Sequence, residues 1–527
     1  MPGNRRLGAF WLGALMLAFP AFAKIPVPVR TQAGMVSGVP GRERSITVYR
    51  GIPYAAPPVG DLRWRPPVRA RRWNGVRKAE NFGPSCPQSG NANAGAAPMS
   101  EDCLTLNIWT GPAPRTGRRP VLVWIHVFME GSGSSPQWDG EALARKGLTV
   151  VTFNYRIGPF GFLALPELSR ESGHNASGNY GLLDQIALLH WVHDNIAAFG
   201  GDPARVTIAH QSAQRGSSVA YLAVSPLARG LFQRGISESQ FPIPSLLDTS
   251  PNYAATSLAS AETTGQRYAE AHDAPSLARL RALPWQQLIG GAVFVPIVDG
   301  WVVPRPYIDP SGASSALTYV AGNNLNEGGA PPEAAFARLR AQGGRPGRAQ
   351  PNLTLDAYLG WARQKFGAMA DEFLHLYPAA NDDEAAKASS EAVRDYARFS
   401  TWLFGTRFMG TSSRPVFTYF WTHVPPGQGS EAGGAGHGSE IAYALGNLDR
   451  TDLPWTREDR RIAEILSSYW ANIARTGDPN GPGLPIWPAV DPASPRVMEL
   501  GDHFGPIPAA DAAKLEFFRR FSNQQGH

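Results

Sequence analysis

The hydrophobic pattern alternates between short apolar runs and longer segments with helical spacing. Three runs show almost no polar alternation, at residues 121–125, 148–153 and 206–209, and they predict strands buried on both faces. Residues 182–198 carry apolar positions at helical spacing and end before the Phe-Gly-Gly-Asp-Pro segment at 199–203, which is a stop signal. Alternating strands and helices predict an α/β fold with a mostly parallel sheet.

Gly- and Pro-rich polar stretches at residues 83–100, 343–352 and 425–438 predict loops. Patterned segments lie on both sides of each loop, and no internal repeat is visible. We therefore expect residues 24–527 to form a single domain with loop and helical insertions, although the length alone would allow about three average domains. The 15 Trp and the charged fraction of 17% argue against intrinsic disorder.

The first residues resemble a targeting segment. Arg5 and Arg6 precede an apolar run at 7–19, and Ala21-Phe22-Ala23 is a small-x-small cleavage signal. Residues 1–23 are therefore predicted to be a secretory signal peptide, with an N-terminal membrane anchor as the alternative. The general export route is favoured over the twin-arginine route, because Gly8 and Ala9 follow the arginines. We expect a secreted or periplasmic protein without stable membrane insertion after cleavage.

Export places the two cysteines, Cys86 and Cys103, in an oxidising compartment. A disulfide between them would close a loop of about 18 residues, for which the chain-entropy model gives about 3 kcal/mol of stabilisation. Two free buried thiols are the alternative.

The net charge of +6 is mild for 527 residues and does not indicate a nucleic-acid partner. One arginine cluster could bind nucleic acid, but we expect a solvated strand-and-loop surface there. The cluster comprises Arg63, Arg65, Arg69, Arg71 and Arg72, beside Trp64 and Trp73. The sequence shows no phosphate-binding loop, zinc-binding helix or dinucleotide fingerprint, and no ligand cluster at metal spacing. No cofactor and no metal are therefore expected.

Ser212 is the first candidate for catalysis. It follows the predicted strand at 206–209 and precedes a helix-like run at 217–223. A serine at a tight strand-to-helix turn has the geometry of a nucleophile elbow, where the helix N-terminus can stabilise an oxyanion. Taken alone, residues 211–213 are a weak signal and fit a structural helix cap better.

The surrounding motifs favour a catalytic role for Ser212 over a helix cap. They lie at residues 51–55, 101–107, 154–162, 178–185, 199–203, 296–300, 326–328 and 437–440. In these stretches and in their order the chain resembles the type-B carboxylesterases, the cholinesterase-like branch of the α/β-hydrolases. The resemblance implies a central twisted sheet with helices on both faces, a deep gorge-like pocket and a Cys86–Cys103 bridge.

The resemblance also implies a catalytic triad and a reaction. It maps the nucleophile to Ser212, the acid to Glu327 and the base to His437, in the chain order of α/β-hydrolases. Ser239 matches a serine that packs near the triad in the family. The implied function is hydrolysis of a small-molecule ester through an acyl-enzyme. A binding protein on the same fold is the alternative, and the presence of all three triad residues favours the enzyme.

The chain departs from the family pattern around the oxyanion site. The family elbow is G-x-S-x-G, whereas this chain has His210 and Gln214 at the glycine positions, followed by Arg215. The family's H-G-G-G-F loop is shortened by two residues to His126-Val127-Phe128. Gln240 stands where the family usually has glycine.

Of the oxyanion donors, the sequence retains the Ala213 N–H and leaves Val127 as a doubtful second. We therefore expect an esterase whose turnover is impaired by lost oxyanion donors. A new functional motif built from His210, Gln214, Arg215 and Gln240 is the alternative to simple steric damage.

Overall fold

The computed structural model describes most of the chain. The described residues are 28–89, 98–112, 114, 116–127, 132–212, 217–240, 246–247, 256–306, 316–342 and 352–525. The predicted signal peptide lies outside these ranges, as does nearly all of the predicted loop at 343–352. No helix in the described ranges has the length and hydrophobicity needed to cross a bilayer.

The described ranges contain fourteen strands. They are β1 (Val29–Arg30), β2 (Met35–Ser37), β3 (Val39–Pro40), β4 (Thr47–Pro53), β5 (Val76–Lys78), β6 (Thr105–Thr110), β7 (Arg119–Ile125), β8 (Thr149–Phe153), β9 (Gly201–Gln211), β10 (Arg234–Glu238), β11 (Thr318–Asn324), β12 (Val416–Trp421), β13 (Arg496–Leu500) and β14 (Phe504–Pro508).

The same ranges contain fifteen α-helices. They are α1 (Glu141–Arg145), α2 (Gly158–Phe162), α3 (Pro166–Glu171), α4 (Tyr180–Asn195), α5 (Ser218–Val224), α6 (Leu258–Ala271), α7 (Leu277–Ala282), α8 (Phe336–Gln342), α9 (Leu355–Phe366), α10 (Ala370–Leu376), α11 (Asp382–Met409), α12 (Ser430–Gly433), α13 (Ile441–Ala444), α14 (Arg457–Thr476) and α15 (Ala512–Gln524).

Eleven strands form one large sheet in the order β14-β13-β12-β11-β10-β9-β7-β8-β6-β4-β3. All neighbours from β8 to β13 pair in parallel, and the outer pairs are antiparallel. A second small sheet joins β1, β2 and β5. The prediction of a mostly parallel α/β sheet is confirmed.

The central strands are apolar along their whole length because helices cover both faces of the sheet. In β7, Val121 and Val123 face a core formed with α4, α5 and α11, whereas Leu122 and Trp124 face a core formed with α1 and α14. All four side chains are buried. A strand enclosed in this way cannot alternate polar and apolar residues, which explains the unbroken runs in the sequence.

The predicted elements are close to the observed ones at the centre of the sheet. The helix predicted at 182–198 is α4 followed by a 3₁₀ turn at Ile196–Phe199, which ends at Gly200 in the left-handed region. The strand predicted at 206–209 is part of the longer strand β9. Pairing with β7 on one side and β10 on the other extends it. The predicted loop at 425–438 contains the short helix α12.

The arginine cluster is not uniformly solvated, and the prediction is wrong for Arg63. Its guanidinium is buried and forms two hydrogen bonds to Glu101, of 2.7 and 2.6 Å. Its remaining donor contacts the carbonyl oxygens of Arg281 and Leu283. A guanidinium can be buried when all of its donors are satisfied in this way. Trp64 is also buried.

Cys86 and Cys103 form a disulfide with a Cα–Cα distance of 5.1 Å. Both residues are buried, and Cys103 immediately precedes the segment that leads into β6. The bond therefore fixes the start of β6 to the segment that follows β5.

Replacing both cysteines by serine should destabilise the protein. The bridge spans 17 residues, so the variant Cys86→Ser/Cys103→Ser should lose about 3 kcal/mol of unfolding free energy in urea titrations. Reductant should lower the midpoint of the unmodified protein and leave that of the variant unchanged. Equal midpoints for the oxidised protein and the variant would contradict this expectation.

Candidate active site

The site residues predicted from the sequence follow three strands of the parallel centre. Ser212 comes directly after β9, Glu327 follows β11 and His437 lies in the connection after β12. Parallel strands have their carboxyl ends at one edge of the sheet, and this edge is where ligands bind in open α/β sheets. The topology therefore brings the three residues to the same edge.

The backbone at Ser212 is in the left-handed region, with φ of +80°. Such a conformation costs of order 1–3 kcal/mol for a residue other than glycine. The Ser212 N–H donates a hydrogen bond of 3.1 Å to the carbonyl oxygen of Glu238, at the end of the neighbouring β10. A serine in a positive-φ turn at the end of a central strand has the form of a nucleophile elbow. Ala213, Gln214 and Arg215 lie outside the described residues.

Glu327 and His437 are in direct contact. The His437 Nδ1 lies 2.6 Å from Glu327 Oε2, and the other carboxylate oxygen accepts the backbone N–H of Asn324 at 2.6 Å. Glu327 is buried, whereas the His437 side chain is 36% exposed. Burial lowers the pKa of His437, but the hydrogen bond and charge of Glu327 and the charge of Glu440 outweigh it. The pKa of His437 is therefore raised above its ordinary value.

The other imidazole nitrogen of His437 contacts Gln211 and not Ser212. The Gln211 amide nitrogen lies 3.3 Å from His437 Nε2, and 3.4 Å from the Ser239 hydroxyl. With Nδ1–H donating to Glu327, Nε2 is free to accept from this amide. Both Ser212 and His437 are described, and no hydrogen bond joins the Ser212 hydroxyl to His437. No sequence pattern predicts this contact of Gln211.

Ser239 lies next to the candidate site, where the resemblance places it. Its backbone φ is +52°, and its hydroxyl donates to Glu440 at 3.2 Å. The second oxygen of Glu440 accepts the Asn324 side-chain amide at 2.5 Å. Burial, followed by the charge of Glu327, raises the pKa of Glu440 to about 7. Glu440 belongs to the 437–440 motif, but sequence reasoning had given it no role.

A further buried carboxylate, Glu238, was not found from the sequence. Glu238 accepts the Trp470 indole N–H at 2.7 Å. Burial, followed by the charge of Glu440, raises the pKa of Glu238 well above its ordinary value. Glu238 adds a second buried acidic side chain beside Glu440.

The side chains of His210 and Gln240, two of the sequence departures noted above, are buried in the protein. His210 is fully buried. This burial lowers its pKa to about 3, and the charges of His126 and His437 act in the same direction. Gln240 is also fully buried and accepts a 2.7 Å hydrogen bond from the Tyr319 hydroxyl. The edge of the sheet thus accommodates both larger side chains.

The shortened loop begins with a second buried histidine. His126 stacks on Tyr155 with ring centroids 4.3 Å apart, and burial lowers its pKa to about 4. Its Nδ1 lies 3.0 Å from the carbonyl oxygen of Val127. Phe128 lies outside the described residues. In the described part of the chain, no cluster of His, Cys, Asp or Glu side chains is arranged to hold a metal ion.

A sheet with a parallel centre, a serine elbow and a Glu–His pair at its carboxyl edge defines an α/β-hydrolase. The sequence matches the carboxylesterase family over residues 26–517. The chain therefore belongs to the carboxylesterase family, which makes it an enzyme of the ester-hydrolase class.

Individual relatives agree with this assignment over nearly the whole chain. A fumonisin B1 esterase from Sphingopyxis macrogoltabida is 35% identical, with 94% of this chain and 90% of the relative covered. A phenmedipham hydrolase from Pseudarthrobacter oxydans is 34% identical, covering 92% and 97%. A para-nitrobenzyl esterase from Bacillus subtilis (strain 168) is 32% identical, covering 88% and 92%.

Replacing Glu327 by glutamine should lower the pKa of His437. The neutral amide still accepts the Asn324 N–H, but it removes the charge that favours the imidazolium. The measurement is a histidine NMR titration, with the His437 signal assigned by its loss in His437→Asn. His126 and His210 should not interfere, because their pKa values are about 4 and about 3. An unchanged or higher pKa in Glu327→Gln would contradict the electrostatic account.

Proposed function

We propose that the protein hydrolyses carboxylic esters through an acyl-enzyme on Ser212. In this proposal His437 is the general base and Glu327 orients it. The observation that supports the proposal most strongly is the 2.6 Å contact between His437 Nδ1 and Glu327, at the edge of the sheet where β9 ends in the Ser212 turn. We also propose that residues 24–527 form a single domain.

The reaction begins with a rearrangement around His437. The Gln211 amide must leave Nε2 before this nitrogen can accept the proton of the Ser212 hydroxyl. The Ser212 oxygen then attacks the ester carbonyl, and His437 returns the proton to the departing alcohol. Water, deprotonated by His437, releases the acid from Ser212. Glu327 holds the Nδ1–H tautomer and stabilises the imidazolium in both halves of the reaction.

The raised pKa of His437 has a consequence for the pH dependence. The imidazole acts as a base only when it is neutral, so activity should increase as pH rises through its pKa. Because this pKa lies above the ordinary histidine value of about 6.5, the increase should extend to higher pH than for an unperturbed histidine.

The oxyanion side of the site is where we propose that turnover is limited. The family motif supplies glycine N–H donors, whereas this chain has Val127 in a loop that is two residues short. The Ala213 N–H would be the principal remaining donor. Losing one such donor typically lowers turnover by about 10²–10³. His210 and Gln240 further add buried side chains beside the turn.

The substrate class and location are also proposals. The relatives named above are an esterase, a hydrolase and a para-nitrobenzyl esterase, which supports a small-molecule ester as substrate. Residues 1–23 and the Cys86–Cys103 disulfide support secretion or a periplasmic location.

A binding protein without turnover is the second candidate. The contact between Gln211 and His437 Nε2 favours it, because that nitrogen is engaged by an amide and not by the Ser212 hydroxyl.

Substituting Ser212 by alanine tests the proposed nucleophile. An organophosphonate should label the unmodified protein on the peptide that contains Ser212, as shown by mass mapping, and should not label Ser212→Ala. Any hydrolysis of short-chain nitrophenyl esters should disappear in Ser212→Ala and fall strongly in His437→Ala, because serine is a poor nucleophile without its base. Folding is checked by thermal unfolding of each variant. Labelling elsewhere, or activity that survives Ser212→Ala, would contradict the assignment.

Restoring the family glycines tests the proposed oxyanion defect. The repaired chain carries His210→Gly, Gln214→Gly and Gln240→Gly, with three glycines in place of Val127. Its kcat should rise by at least about 10², with a much smaller change in KM, since the restored contacts act mainly in the transition state.

Two controls accompany the repair. The Val127 replacement alone restores donors without creating buried space at His210, and it should give part of the gain. Adding Ser212→Ala to the repaired chain should abolish activity. Equal kcat before and after repair, in a protein that melts normally, would show that another group stabilises the oxyanion.

A further inference from the structure

A groove of about 510 Å³ lies between the arginine-rich segment before β5 and the neighbouring ends of β4 and β6. Five cationic residues line it, namely Arg50, Arg71, Arg72, Arg77 and Lys78. Asp102 is the one acidic residue among the described residues of its lining. The groove is therefore strongly positive on a protein whose net charge is only +6.

Glu141 acts electrostatically on Arg50, but the other four cations of the groove are not paired with acids among the described residues. Within the described ranges, Arg71, Arg72, Arg77 and Lys78 form no ion pair. Arg63 and Arg65, from the same part of the sequence, bind Glu101 and Glu171 instead. Residues 90–97, which the structure does not describe, contain no charged side chain.

Aromatic rings hold two of the guanidinium groups. Arg50 lies over Phe82 at 5.2 Å and Arg77 lies over Trp73 at 5.6 Å. A guanidinium stacked by its face keeps the N–H groups at its edge available to a planar anionic group. The stacking thus orders both cations, and Arg50 additionally donates from Nη1 to the carbonyl oxygen of Glu80 at 3.3 Å.

Two polar groups at the groove have no hydrogen-bond partner among the described residues. They are the Nε of Arg50 and the hydroxyl of Thr105, both inaccessible to solvent. Thr105 is 6% exposed and lines the groove at the start of β6. Neither atom is open to the groove, so the contacts to a ligand would come from the exposed cations of the lining.

We propose that this groove binds a ligand carrying several anionic oxygens, as phosphate or carboxylate groups. Its volume fits a small molecule, and its cations surround one concavity, which favours a compact ligand over a nucleic-acid strand. Ser212 and Thr105 lie at the same edge of the sheet, three strand spacings or about 14 Å apart. The groove is therefore separate from the Ser212 turn, and the proposal does not rest on the proposed ester hydrolysis.

Calorimetric titration of the full chain carrying Ser212→Ala tests the proposal. The probes are pyrophosphate and citrate, at matched ionic strength, and the stronger of the two identifies phosphate or carboxylate as the preferred group. We expect saturable binding at one site. Affinity should fall at least tenfold in Arg71→Gln/Arg77→Gln.

The matched control is Arg338→Gln/Arg363→Gln. Both arginines are exposed, lie outside the groove and form no ion pair in the described structure. This control removes the same charge and should retain the full affinity.

Three results would overturn the proposal. The first is the absence of saturable binding for both anions. The second is an equal loss of affinity in the groove and control variants, which would show a general effect of net charge. The third is much tighter binding of a single-stranded oligonucleotide through the same arginines, which would assign the groove to nucleic acid.

Discussion

The positive-φ turn at Ser212 is the constraint on which the candidate site depends. This conformation is unfavourable for serine, so the surrounding structure must impose it. Two features hold the turn in this conformation. Strand β9 is paired on both sides, and the Ser212 N–H donates a hydrogen bond to the Glu238 carbonyl oxygen. Parallel pairing of β10, β11 and β12 then brings the Glu327 and His437 connections to the same edge. The sheet topology thus determines which residues can meet.

The electrostatics of this edge raise the pKa of His437 above its ordinary value. Glu327 contacts the imidazole directly, and Glu440 lies behind it, linked to both Ser239 and Asn324. The buried histidines His126 and His210 have lowered pKa values and add no positive charge at neutral pH. A positive charge on His437, as the proposed reaction requires, is therefore stabilised by its surroundings. In the proposed reaction this acid–base arrangement contrasts with the oxyanion side, where Val127, His210 and Gln240 occupy positions at which the resemblance implies glycine.

The sequence predicted those features that depend on local pattern. Strands buried on both faces leave unbroken apolar runs, as in β7, and α4 has a periodic sequence and a clear stop at Gly200. The order Ser212, Glu327 and His437 could also be assigned, because the motifs around these residues are short and continuous.

Contacts between distant residues could not be predicted in this way. Arg63 is buried because Glu101 meets it from 38 residues away, and Gln211 reaches His437 across 226 residues. No local pattern encodes either pairing. The basic groove likewise combines Arg50 with Arg77 through the packing of separate strands. Even the buried positions of His210 and Gln240 depend on space that only the folded structure reveals.

We propose that the acid–base residues are intact whereas the oxyanion donors are deficient. The most direct measurement compares the affinity of a trifluoromethyl ketone, which forms a tetrahedral adduct with serine, with that of the matching methyl ketone. The account predicts that the glycine-restored chain binds the trifluoromethyl ketone at least about 10²-fold more tightly than the unmodified chain, with similar affinity for the methyl ketone. Equal affinity of both chains for the trifluoromethyl ketone would contradict the account.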